Sequence, residues 1–190
     1  MKAILLFTIF VFSLKVAAAQ ETAIKKIKEL YYQVNEDNYQ SHTVKLNTMR
    51  AAIGLQTTKI VFYYYSWQSN PEESPFELDY GLMKIETSYN IAVSMEYSNE
   101  YLFDKNGNLV FYLRKAEGEW ENSSIRYYLD KNKLIKVISK GTDEDGENLD
   151  HVSTKNFKQD DINSVKLCLL NANRYTDFFK EMTEIELLEK

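Results

Sequence analysis

The chain has 190 residues, 44% hydrophobic and 27% charged, with a formal charge of −5, one Cys, six Gly and two Pro. These counts exclude a disordered or collagenous chain, a disulfide scaffold and a Cys-based zinc module. The acidic balance argues against nucleic acid as a partner, since phosphate binding needs a basic surface. The unusual count is aromatic: 14 Tyr and ten Phe.

Met1 to Ala19 reads as a secretory signal. Lys2 supplies the positive start, Ala3 to Leu14 carry no charge, and Ala17-Ala18-Ala19 offers small residues at the cleavage site, so cleavage before Gln20 is expected. The uncharged run has 12 residues before Lys15, short of the roughly 20 a spanning helix needs. No later stretch is apolar enough to span a bilayer, so no membrane span is expected after cleavage. The chain is therefore expected to be secreted or periplasmic, with residues 20–190 forming one α+β domain. Without Lys2 and Lys15, 21 basic residues face 28 acidic ones, a charge of −7 over 171 residues that keep every Tyr.

From Glu21 to Asp37 the residues Ile24, Ile27, Leu30, Tyr31 and Val34 recur at helical spacing, with Lys25, Lys26, Lys28 and Glu29 opposite them. Thr43 to Leu46 suggests a short strand, and Gly54 breaks any helix around Met49 to Leu55. Lys59 to Trp67 is a β-branched and aromatic run suited to a pleated surface. A loop from Gln68 to Leu78 follows, marked by Asn70-Pro71 and Ser74-Pro75. Alternation then assigns Met83, Ile85 and Thr87 to one strand face, and Ile91, Val93, Met95 and Tyr97 to one face of the next. The small or polar alternates of that second strand (Ala92, Ser94, Glu96, Ser98) suggest a sheet with one covered and one wet face.

Two segments echo each other: Tyr101-Leu102-Phe103-Asp104-Lys105-Asn106-Gly107 and Tyr127-Tyr128-Leu129-Asp130-Lys131-Asn132. Each follows aromatic residues with Asp-Lys-Asn, where the Asp opens a turn and the next residues return it, so both are expected hairpin tips of an antiparallel meander. Each copy is similar to the aromatic-Asp-x-x-Gly-x-Leu hairpins arrayed in secreted bacterial repeat proteins, over about ten residues, and no function is carried across. After Gly141 comes an acidic loop, Asp143 to Asp150. Asp160 or Asp161 then opens a helix carrying Ile162, Val165, Leu169, Ala172, Tyr175, Phe179 and Met182. Cys168, set among Val165, Leu167, Leu169 and Leu170, is expected to be buried. The fold expected is α+β: an antiparallel meander of about five to seven strands, with the N-terminal and C-terminal helices on one face of the sheet.

Chemistry is harder to place. The oxygen-rich loop Asp143-Glu144-Asp145-Gly146-Glu147-Asn148-Leu149-Asp150 offers Asp143, Asp145 and Asp150 as Ca²⁺ ligands. It lacks the twelfth-position Glu of an EF-hand loop, and a solvated acidic turn explains it as well. Glu86, Glu96 and Glu100 lie on or beside strands, and two converging carboxylates could serve glycoside hydrolysis. His42 and His151 belong to no constellation, and no nucleophile elbow, zinc helix or phosphate loop is present, so no catalytic residue is assigned. Asn122-Ser123-Ser124 is a glycosylation sequon. The aromatics are the best lead to a ligand. Tyr63, Tyr65 and Trp67 share one strand face, and together with Trp120 they suit a carbohydrate or a protein partner. Three readings follow: a non-catalytic exported binding or accessory module, a hydrolase using sheet carboxylates, and a Ca²⁺-stabilised exported domain. The first predicts an exposed indole at Trp67 or Trp120.

Overall fold

The computed structural model describes residues 2–51, 54–68, 79–91 and 95–188, with side chains described over 18–51, 54–68, 79–91 and 95–185. The elements run α1 (Lys2–Glu36), β1 (Gln40–Arg50), β2 (Gly54–Trp67), β3 (Asp79–Ile91), β4 (Met95–Phe103), β5 (Leu109–Gly118), β6 (Asn122–Asp130), β7 (Lys133–Thr142), β8 (His151–Ser153) and α2 (Gln159–Leu188). The strands form one eight-stranded antiparallel sheet in sequence order, slightly more than the five to seven expected. The loop around Pro71 and Pro75, and Ala92, Val93 and Ser94, lie outside the described residues. Among the described residues no helix is long and apolar enough to cross a membrane.

The α+β meander with a helix at each end stands, but the helices lie on opposite faces of the sheet. One core joins Val165, Cys168, Ala172 and Phe179 of α2 to Phe62, Ile85, Tyr101, Tyr112, Tyr127 and Val137. A second joins Ile27 and Val34 of α1 to Leu102, Phe111, Leu113 and Tyr128. Neighbours in sequence thus serve different helices, as strand alternation requires. The physical reason is legible in β4, β5 and β6. Tyr101-Leu102-Phe103, Leu109 to Leu113 and Tyr127-Tyr128-Leu129 are consecutive apolar runs buried on both sides, and such strands need cover above and below.

Other departures have local causes. Ile91 and Met95 belong to two strands and face each other across the β3–β4 pair, not along one strand. Met83 is an extra residue in β3, between Tyr63↔Lys84 and Tyr64↔Leu82. That bulge turns Met83 to the α1 core while Ile85 stays in the α2 core. β1 runs over 11 residues as a largely exposed edge strand, longer than expected, because pairing with β2 stabilises residues whose own pattern is weak. The three residues of β8 follow the acidic loop and close the other edge, and the helix expected to cover about twenty residues runs for 30.

Both echo segments are hairpin tips. Asp104 Oδ1 accepts the backbone N–H groups of Asn106 and Asn108, each at 2.9 Å, and Gly107 takes φ +76°. The second tip uses Lys131 and Asn132 at φ +50° and +63°, the two positive angles of a type I′ turn. Arg114 and Glu121 close the β5–β6 end with two bonds of 2.9 and 3.1 Å.

Phe62 is fully buried, with ring centroids 5.5 Å from Phe179 and 6.0 Å from Phe178. Phe62→Ala is expected to cost about 3–5 kcal/mol, read as a lower urea midpoint at unchanged slope. Burial also pushes the Cys168 thiol up to about 12. It should therefore resist alkylation at about pH 8 in the folded chain and react on unfolding; equal labelling in both states would show an open site.

Candidate functional site

The sheet parts at one end. β3 pairs with β4 only from Lys84↔Leu102 onward, so Asp79 to Met83 lead away from the β4–β5 tip. The C-terminal half of α2 flanks the gap, and the result is a cavity of about 700 Å³, within the usual range for ligand sites. One wall is the start of β3, a second the tip from Phe103 to Gly107, and a third carries Asn173, Asp177 and Lys180 of α2. Tyr65 and Trp67 form the β2 rim.

That rim is built by a missing side chain. Gly81 stands opposite Tyr65 in the β2–β3 register. A Cβ there would fall 2.2 Å from the Tyr65 ring, so only glycine admits the ring against the backbone. Tyr65 in turn backs Trp67, with centroids 5.1 Å apart and planes 26° from parallel. Trp67 keeps 43% of its surface exposed, a flat apolar face over a polar cavity.

The other aromatic candidates lie elsewhere. Trp120 is 53% exposed, but it sits in the β5–β6 turn, at the opposite end of the strands from Trp67. Tyr63 shares the α1 face with Tyr65, yet its hydroxyl is committed to Glu86 Oε2 at 2.8 Å. Of the four aromatic residues named from sequence, the fold brings together Tyr65 and Trp67. The cavity's α2 wall was missed because Asn173, Asp177 and Lys180 reach it only through tertiary packing. Gly81, inside an alternating strand, was the signal that could have been read.

The carboxylates divide similarly. Glu86 and Glu100 are direct cross-strand partners, whereas Glu96 lies four residues along β4, about 13 Å away at ordinary strand rise. Tyr31 of α1 donates to Glu100 Oε2 at 2.8 Å. Lys84, almost wholly buried, meets Glu86 Oε1 at 2.7 Å and donates to Asn35 Oδ1 at 2.6 Å, with its Nζ 4.5 Å from the Tyr63 ring centroid. These groups hold the end of α1 to β3 and β4. Glu86 and Glu100 each already have a donor.

In the acidic loop, Asp143 Oδ1 accepts the N–H groups of Asp145 at 3.1 Å and Glu147 at 2.9 Å, and Asp150 Oδ1 accepts that of Gly141 at 3.0 Å. Gly146, at φ +77°, completes the turn. The carboxylates of Asp143 and Asp150 thus organise backbone, and Asp145 is exposed on the outside. Among the described residues no three His, Cys, Asp or Glu side chains group to hold a metal ion. His42 stacks on Tyr64 at 4.8 Å, and Asn122 is exposed at the start of β6.

With this geometry in hand, comparison finds that the chain matches no protein-family model, no curated protein and no solved structure.

The phenols make the fold sensitive to alkali. Burial, then the bond to Glu86, pushes the Tyr63 hydroxyl up to about 12; burial foremost does the same to Tyr127. An unfolded Tyr ionises near pH 10. Their contribution to stability is therefore complete below about pH 10 and lost as pH rises through 12. Urea midpoints should stay flat to about pH 9.5 and then fall, more gently in a Tyr63→Phe/Tyr127→Phe chain. An unchanged slope in that double variant would count against these phenols.

Proposed function

We propose that this chain is an exported, non-catalytic binding module that takes carbohydrate in the cleft beside Trp67. The observation that carries this reading is the exposed Trp67 indole, propped by Tyr65 on the rim of the 700 Å³ cavity. Sugars present flat C–H faces and equatorial hydroxyls. An aromatic face meets the first, and Asn173, Asp177 and Lys180 on the α2 wall of the same cavity meet the second.

Export rests on the signal-like run from Met1 to Ala19. Ala18 and Ala19 are exposed, and Gln20 is the first residue with a described side chain to touch the sheet. Its amide donates to Ile135 O and, at 2.9 Å, to Thr154 O. Among the described side chains, the α1 contribution to the second core begins at Ile24. Among the described side chains, cleavage before Gln20 removes Ala18 and Ala19, and with them the bond from the Thr22 hydroxyl to Ala18 O at 2.8 Å. The juxtaposed Glu86 and Glu100 favour structure over hydrolysis, since Tyr63, Lys84 and Tyr31 already bind their oxygens.

The test uses residues 20–190 with Trp120→Phe, which leaves Trp67 as the only indole. Titration with soluble neutral oligosaccharides should shift its emission saturably, and Trp67→Ala should weaken binding measured by calorimetry at least about tenfold. Emission unmoved by every oligosaccharide in the panel would overturn the carbohydrate reading.

A further inference from the structure

Half-buried arginines in this sheet are treated in two ways. Arg114 on β5 is gripped by Glu121 through two bonds. Arg126 on β6 faces the opposite side, also half-buried, and among the described residues no carboxylate or carbonyl takes its guanidinium. An arginine partly removed from water is costly unless its five donors find acceptors. Residues 20–190 carry 28 acidic side chains, so an arginine with no acid partner among the described residues is a specific arrangement.

Arg126 lines a cavity of about 260 Å³ beside α1, and Lys28 of α1 and Lys115 of β5 line it too. Neither lysine has an ion pair among the described residues. Tyr31, Tyr32 and Tyr128 supply ring walls, and no carboxylate is among the lining groups. Glu100 is the nearest acid along the cross-strand row Glu100–Leu113–Arg126, but Leu113 stands between them and Tyr31 holds the carboxylate at 2.8 Å. Three cationic residues thus line an aromatic-walled space that no acid among the described residues lines.

We propose that this cavity is an anion site, separate from the Trp67 cleft, for a small organic acid carried on a flat ring. Arg126 offers a planar fork matched to a carboxylate or a phosphoryl or sulfuryl group, and Lys28 and Lys115 add point charges. The tyrosines receive the ring. The volume is below that of drug-sized sites and admits a single ring with its acid group, not an oligomer. The site lies beside α1: Phe111, Leu113 and Tyr128 line it and belong to the α1 core.

The experiment titrates residues 20–190 with benzoate, phenyl phosphate and benzyl alcohol by calorimetry and ligand-observed NMR. One equivalent of at least one anion should bind saturably, weakening as salt rises, whereas benzyl alcohol should not saturate. Arg126→Gln should weaken the anion about tenfold or more, Arg126→Lys less, and Lys115→Gln gives a second reading should Arg126→Gln fail to fold. Trp67→Ala should leave anion binding intact, so this site and the carbohydrate cleft fail independently. The ratio of the two anion affinities names the acid group preferred. Benzyl alcohol binding as tightly as benzoate, affinity unchanged in Arg126→Gln and Lys115→Gln, loss confined to Trp67→Ala, or no saturation by either anion would each overturn the proposal.

Discussion

Two-sided burial of the central strands is the constraint on which the molecule depends. Phe111 and Tyr112 are adjacent, both buried, and point to opposite helices. The same holds for Tyr101 with Leu102 and for Tyr127 with Tyr128. A sheet with such strands at its centre exposes an apolar face whichever helix is removed. The aromatic excess follows from this. Rings such as Tyr101, Tyr112 and Tyr127 fill the α2 side, with centroid spacings of 5.0 and 6.0 Å between successive strands.

The two helices do not finish the task equally. α2 reaches core residues from Phe62 on β2 to Val137 on β7. α1 covers only part of its face and ends at Glu36, where Tyr31, Asn35 and Lys84 tie it to a polar network. Beyond it the sheet carries Lys59, Glu86, Ser98, Glu100, Lys115 and Arg126. The sheet's wet surface is this remainder of the α1 face, with Glu86 and Glu100 on β3 and β4 between Lys59 on β2 and Lys115 and Arg126 on β5 and β6. Cavities form at such boundaries, because a helix supplies one wall and the strand side chains another.

The Trp67 cleft has a different origin, in backbone geometry. A bulge at Met83 and the absent side chain of Gly81 let the β2–β3 ribbon lead away from the β4–β5 tip while Tyr65 folds over the gap. Bulges and strand glycines recur where a sheet must present a surface instead of continuing its ladder. Here they stand beside Tyr65 and Trp67, two of the three aromatic residues that strand alternation had placed together.

Much of the architecture is local and so was readable from sequence. The α1 stripe from Ile24 to Val34, the α2 stripe from Val165 to Met182, the Asp-Lys-Asn turns and the buried Cys168 depend on spacing and turn chemistry within a few residues. Consecutive apolar runs such as Leu109 to Leu113 also carried the two-helix sandwich, though alternation elsewhere drew attention to a single covered face. Site assembly was not readable, because it depends on register. Glu86 meets Glu100 and not Glu96 only through the β3–β4 pairing, and Trp67 and Trp120 separate because antiparallel strands send them to opposite ends. That Arg126 meets no acid among the described residues is likewise a fact of neighbours far apart in the chain, Lys28 and Lys115 among them. Periodicity reports which side of an element meets the core. Which elements then meet each other, and which charges are left facing a cavity, is decided when the strands pair and the helices close over them.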